Sequence, residues 1–221
     1  MIVVRRKWAL YRSQRWHGLT ALGRPNALDA EEAMESLQPG GNPNLSSSFV
    51  ALDFETADHG RDSACAIALV RVERGQIVQR EYSLLRPPRS CFRFSHIHGI
   101  TWADVENQPT FAEAWPSLQR FLEGASFVAA HNSPFDRSVL EACCRVAGFK
   151  LPAVPFVCTM RLARQTWEIY PTGLQNVCTR LHIPLRHHHA GSDAEACARI
   201  VLEAHRKSAR SRQRSRPVHS A

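Results

Sequence analysis

The sequence predicts an α/β fold: a mixed sheet flanked by helices. Three observations predict it. Three β-rich segments come first, over 49-FVALDFE-55, 65-CAIALVRVE-73 and 77-IVQREYSLL-85, and the last two are parted only by a short Gly-containing turn. They read as antiparallel neighbours of the first. Helical and strand-like segments then alternate to the end of the pattern, as in α/β architectures. Finally, 44% of the 221 residues are hydrophobic, enough for one ordinary core.

The later elements follow in order. Residues 111-FAEAWPSLQRFLEG-124 place Phe111, Trp115, Leu118 and Leu122 on one helical face. Pro116 lies inside that span, which predicts a kink or a later start. Residues 126-SFVAA-130 read as a short buried strand, and 135-FDRSVLEACCRVAG-148 as a helix closed by Gly148. Another strand is expected over 155-PFVCT-159, then helices over about 160–168, 173–182 and 192–206. Upstream, 38-QPGGNPNLSSS-48 has the composition of a linker, preceded by a short helix over 28-LDAEEAMESL-37. The expected organisation is an N-terminal extension over 1–48, a folded domain over 49–205 and a basic tail over 206–221.

Composition narrows the class. No apolar run reaches the roughly 18–20 residues of a membrane helix, so no membrane partner is expected. The start, 1-MIVVRRKWALYRSQRW-16, lacks the continuous apolar stretch of a secretory signal. Its arginines suit a transit peptide, but Asp29, Glu31, Glu32 and Glu35 follow soon after. Seven cysteines, an odd number without a C-x-x-C pair, read as reduced thiols in a cytoplasmic protein. The charge is uneven. Residues 49–205 are neutral, 1–48 carry +2, and 206–221 carry +6 with no acid. The end 206-RKSARSRQRSRP-217 reads either as a solvated tail or as one that attracts a polyanion by counterion release.

Several carboxylates resist a packing explanation. Asp53 and Glu55 interrupt the end of a buried strand, and their i, i+2 spacing sends both to one face. Two like charges there repel and are costly to desolvate unless a cation neutralises them. Oxygen donors of this kind suit Mg²⁺ or Mn²⁺. Asp136 and Asp193 each stand at a predicted helix start, where stabilising the helix N-terminus is a sufficient role for either alone. Just before Asp193 come three histidines, 187-HHH-189, readable as a metal site, a surface feature or one working base with two neighbours.

These residues carry a family resemblance. The segment 51-ALDFETA-57 resembles the Asp-x-Glu-Thr motif of the DnaQ-like 3′–5′ exonucleases, which include the epsilon-subunit-like exonucleases of DNA polymerase III. Segment 130-AHNSPFD-136 is similar to their second motif, 188-HHAGSD-193 to their third, and 96-HIHGIT-101 to a turn frequent after the third strand. The resemblance spans about 49–205 and implies a ribonuclease H-like, five-stranded mixed sheet. Counting back from Asp193 gives His188 at five and His189 at four, with no tyrosine, which matches the DEDDh branch.

The resemblance further implies hydrolysis of phosphodiesters at the 3′ end of single-stranded DNA, releasing nucleoside monophosphates. Two divalent cations, Mg²⁺ or Mn²⁺, are implied. Asp53, Glu55 and Asp193 would hold the first, and Asp53 would bridge to the second, supported by Asp136. His188 would take the proton from the attacking water. Thr56 is a candidate for the terminal 3′-hydroxyl. Asn132 is a candidate either for orienting the second motif or for touching the nucleotide, and His98 for a substrate contact or a structural role. Phe54 reads as core and Phe135 as packing, and Trp102 and Trp167 as core or half-buried residues or as base-stacking ones. The same site would serve an RNA-directed exoribonuclease. A non-catalytic polymerase-binding or nucleic-acid-binding module is disfavoured, because all four acids and the histidine are present. Association with a DNA polymerase is also implied by such relatives. With no clamp-binding peptide after the last helix, the expectation is a stand-alone exonuclease whose basic tail holds single strands.

Overall fold

A computed structural model of the chain describes residues 47–214, with side chains to 211. The short helix expected over 28–37, most of the linker and the last seven residues lie outside the described residues. Strand β1 (Phe49–Thr56) pairs antiparallel with β2 (Ala64–Glu73), and β2 with β3 (Gln76–Leu84). Arg74 and Gly75 join the last two with positive φ at both residues (49° and 74°), as a tight two-residue hairpin requires. Two short strands, β4 (Val128–Ala130) and β5 (Phe156–Cys158), then add parallel on the other side of β1. The sheet order is β3-β2-β1-β4-β5, the mixed five-stranded sheet expected.

Period-two alternation in β1 and β2 divides the core into two layers. Val50, Leu52, Phe54, Ile67 and Leu69 face helices α3 (Phe111–Leu118) and α4 (Pro134–Val146), with Trp115 fully buried among them. Phe49, Ala51, Ala66, Ala68 and Val70 face the opposite layer, made by α5 (Thr159–Trp167), α6 (Leu174–Leu181) and α7 (Ala190–Arg214). The α7 contact is built from small side chains: Ala51, Ala66 and Ala68 on the sheet, Ala194 and Ala198 on the helix, all without exposed surface. Small residues on both sides let the helix axis lie close to the strands. Two short helices, α1 (Ser95–His98) and α2 (Trp102–Val105), bridge β3 to α3. Gly99 closes α1 at φ 77°, and Thr101 opens α2 with Asp104 in a capping box.

Several boundaries differ from the sequence reading, three of them in the helices α3, α4 and α7. Helix α3 starts at Phe111, capped by Thr110 and Glu113, and runs through Pro116. It then tightens into a 3₁₀ turn over Gln119–Leu122, so the second half of the predicted span is not α-helical. Helix α4 starts one residue earlier than expected, with Pro134 in its first turn, where a missing N–H costs nothing. Helix α7 continues to Arg214, so residues 206–214, expected as tail, are helical. All seven cysteines are free thiols; five are buried, Cys91 is exposed and Cys158 is partly buried. Among the described residues no helix is long and apolar enough to cross a membrane.

Overpacking the small-residue contact should be felt directly. Ala198→Leu is expected to lower stability by about 1–3 kcal/mol, read as a shifted urea midpoint with an unchanged slope.

Candidate active site

Asp53 and Glu55 continue the row of Phe49 and Ala51, so the alternation that buries those two turns both acids toward α7. Helix α7 presents Asp193 from its first turn. Carboxylate oxygens of Asp53, Glu55 and Asp193 consequently lie within 4.8 Å of one another. Asp136 reaches the same place from the opposite layer. It occupies the first turn of α4, is 2% exposed, and accepts the backbone N–H of Phe54 at 3.2 Å. Phe54 thus has two jobs: its ring is core, as expected, and its amide holds the fourth acid near the other three.

The electrostatics follow from this crowding. Burial, then the charges of Asp136, Asp193 and Glu55, hold the Asp53 carboxyl well above the usual carboxylate range. Burial and Asp193 push Glu55 up to about 7. Burial pushes Asp136 up to about 8, against the N–H of Phe54. Asp193 is raised by burial and held down by His187 and His188. Its Oδ2 accepts the backbone N–H of His188 at 3.1 Å, and His187 Nδ1 lies 3.1 Å from the same oxygen. Its Oδ1 is buried with no hydrogen-bond partner. An orphaned buried carboxylate oxygen beside two more repelling carboxylates is a donor set suited to hard divalent cations. The residues therefore fit a metal centre that Asp53, Glu55 and Asp193 could hold, with Asp136 close by.

The three histidines separate. His188 adopts φ 63° and stands exposed at the rim, its ring stacked 3.8 Å from that of His187. His189 turns the other way and stacks on Tyr82 of β3 at 5.1 Å. Gly191 permits this: a Cβ there would sit 3.3 Å from the His189 ring. The His187 contact with Asp193 was not legible in the sequence, where His187 reads only as a neighbour. His187 and His188 also lie within 4.8 Å of Asp193 as donors, so the histidine run shares an acid with the carboxylate cluster.

Other predicted residues distribute as follows. Thr56 ends β1, is buried, and its carbonyl lies 3.1 Å from His98 Nε2. His98 Nδ1 accepts the N–H of Ile100 at 3.0 Å. Because a carbonyl only accepts, Nε2 carries the proton, and both ring nitrogens are occupied within the fold. These two contacts tie the 94–101 turn to the end of β1. Asn132 is exposed at φ 63°, and its carbonyl accepts from Phe135. Phe135 is partly buried beneath the Arg61 guanidinium, 4.6 Å away. Trp102 and Trp167 are half-buried against the α7-side core. A residue given no separate role in the sequence, His131, bridges Thr159 Oγ1 and the Thr172 carbonyl at 2.9 Å each, bracing the segment that carries Asp136.

A mixed sheet with four acids gathered at the end of its central strand is the arrangement of an acid-centred nuclease. The chain belongs to the exonuclease family typified by RNase T, whose family model matches residues 50–201. It is 35% identical over 159 residues to a PolC-type DNA polymerase III of Thermotoga petrophila, covering 70% of this chain and 12% of that protein. It is 34% identical over 164 residues to the 3′–5′ exonuclease DinG of Bacillus subtilis, covering 70% of this chain and 17% of that protein. The chain thus spans a small part of either relative. Exonuclease X in complex with 5′ overhanging duplex DNA superposes with a TM-score of 0.59 at 25% identity, covering 73% of this chain and 93% of that one. The nuclease domain of 3′hExo, a DEDDh family member bound to rAMP, shares the fold with a TM-score of 0.63 at 16% identity, covering 73% of this chain and 92% of that one.

The raised carboxyl of Glu55 sets a stability prediction. A folded-state value above the unfolded one stabilises at low pH, and that contribution is lost as pH rises through about 7. Glu55→Gln should therefore raise the metal-free protein's stability at about pH 8 by on the order of 2 kcal/mol. The gain should shrink toward pH 5, as measured by chemical unfolding in EDTA.

Proposed function

We propose that the protein is a 3′–5′ exonuclease that hydrolyses the terminal phosphodiester of single-stranded DNA and releases nucleoside monophosphates. The observation that carries this reading is the convergence of Asp53, Glu55 and Asp193 within 4.8 Å, with Asp136 fixed beside them by the Phe54 amide. DNA is favoured because relatives with the same domain are a DNA polymerase and a DNA-bound exonuclease. Asp53, Glu55 and Asp193 would hold one divalent cation, and Asp53 with Asp136 a second. Bound there, Mg²⁺ or Mn²⁺ supplies Lewis acidity toward the attacking and leaving oxygens of an in-line displacement. The chain's own residues do the rest.

His188 is the base in this reading. Burial and then His187 hold its ring below the ordinary histidine value, while Asp193 pulls the other way. The ring is therefore neutral near pH 7 and able to accept a proton from water. Its exposed place at the rim gives that proton a route to solvent. The backbone N–H of the same residue fixes Asp193, so base and acid are set by one turn of chain. Thr56 follows Glu55 in β1 and Asn132 precedes the α4 turn that carries Asp136; both are assigned to the terminal nucleotide.

Incubation of 3′-labelled DNA and RNA strands with Mg²⁺, Mn²⁺ or EDTA tests the reading. Mononucleotides should appear from DNA with either metal and not in EDTA. Preference for RNA would move the substrate, and no release with any metal would end the enzymatic reading. His188→Ala should lower kcat by roughly 10²–10⁴-fold with divalent affinity kept. If His189→Ala has that effect instead, the register of the base is wrong.

Metal binding should also displace protons, because Glu55 near 7 and Asp136 near 8 are partly protonated in the metal-free protein at neutral pH. Titration calorimetry in buffers of different ionisation enthalpy should show release of about one to two protons per protein and an affinity that rises from pH 6 to pH 8. Binding without proton release would show that the carboxyls are already ionised.

A further inference from the structure

Helix α5 ends at Trp167, and the chain crosses to α6 through residues 168–173. This crossing and the outer side of α6 enclose a cleft of about 370 Å³ lined by Trp167, Tyr170, Asn176 and Arg180. Two aromatic rings and several cations meet there. Tyr170 is 72% exposed, so packing gives no account of its ring. The Arg164 guanidinium lies 5.8 Å from the Tyr170 ring centroid, and the Lys207 ammonium 5.9 Å from that of Trp167. Both cations are held in place: Arg164 Nε donates to Thr172 Oγ1 at 2.7 Å, and Lys207 donates to the Thr166 carbonyl. Arg180 stands exposed on the cleft wall, and Arg210 continues the basic face along α7. Glu168 is the acid lining the cleft.

The crossing is tied to the carboxylate centre. Its Thr172 carbonyl accepts from His131 Nε2 at 2.9 Å, and His131 leads straight into the segment that carries Asp136. The His131 ring is also close enough to His187 for their charges to interact. Helix α7 gives the span. Asp193 is in its first turn and Lys207 fourteen residues on, which is about 21 Å along the axis. At roughly 3.4 Å per stacked nucleotide, that is about six nucleotides.

We propose that Tyr170 and Trp167, flanked by Arg164, Arg180 and Lys207, form a second binding site for single-stranded polynucleotide, upstream of the 3′ end held by the acids. Bases stack on the rings and phosphates meet the cations. Stacking of this kind tolerates any base, and the cations add a salt-dependent attraction. The site deepens the exonuclease reading and rests on it for its substrate class.

Length separates the two sites. A trinucleotide reaches the acids but not the cleft; an oligothymidylate of about ten nucleotides reaches both. Tyr170→Ala should raise KM for the longer strand on the order of 10-fold, with kcat and the trinucleotide KM unchanged, and Tyr170→Phe should restore it. Arg180→Gln should weaken the longer strand and flatten its salt slope by about one. An unchanged KM for the longer strand overturns the proposal. So does a loss shared equally by both lengths, which is what a merely structural role would give. Thermal unfolding should be unaffected by Tyr170→Ala, because the ring is already in solvent. Fluorescence anisotropy of the labelled longer strand in EDTA reads the cleft without catalysis. If the wild type releases no mononucleotide, the exonuclease reading fails, and loss or retention of that anisotropy signal in Tyr170→Ala alone decides the cleft.

Discussion

Mutual repulsion of carboxylates is the constraint around which the rest of the fold is arranged. Asp53, Glu55, Asp136 and Asp193 are brought together where burial alone disfavours even one charge. No local preference gathers them. Two come from one row of β1, one from α7 on the same face, and one from α4 on the opposite face. The helices must approach the strand closely enough for their first turns to converge at its end. The alanines of β1, β2 and α7 allow that approach on one side, and Pro134 and the Phe54 amide set it on the other. Stability therefore resides in the two apolar layers, and the acids draw on it. A site strained without counter-ions would bind cations for the same reason that it destabilises the fold.

Histidine chemistry is distributed by environment rather than by residue type. His98 and His131 use both ring nitrogens inside the fold, each donating from Nε2 to a backbone carbonyl. Burial holds both below the ordinary histidine value, so both stay neutral struts at physiological pH. His189 is a packing ring against Tyr82. His187 contacts the buried acid, and His188 is left at the rim. Five rings thus share one neighbourhood, yet the one with an exposed ring in the left-handed turn is best placed to exchange a proton with water.

Much of this was legible in the sequence because it rests on short-range periodicities. Alternation in 49–56 placed Asp53 and Glu55 on one face, and the order of strands and helices gave the sheet. Counting back from Asp193 singled out His188, which the structure leaves exposed beside that acid. What could not be read depends on contacts between distant segments. The Phe54 amide bond to Asp136 spans 82 residues, and the His131 bond to Thr172 spans 41. His98 illustrates the limit: nothing in its spacing within a Gly-containing turn foretells its contact with the Thr56 carbonyl, 42 residues away. The end of α7 was misplaced for another reason. Its last three turns are rich in arginine and serine, with no apolar stripe to mark them, so the periodic signal stops before the helix does.

That extension gives α7 a polarity of function as well as of structure. A helix macrodipole favours negative groups at the N-terminus and positive groups at the C-terminus. Asp193 stands in the first turn, while Arg206, Lys207 and Arg210 lie toward the other end. One element therefore places an acid where cations and the reacting phosphate are expected, and bases where the rest of a polyanion would run. The two ends make opposite demands on charge, and a single helix meets both at opposite ends. The neutrality of residues 49–205 acquires a physical meaning in this light. On the proposed reading the acids stay free for cations, and the charge that would attract a nucleic acid strand lies along α7, about 20 Å from the acidic centre.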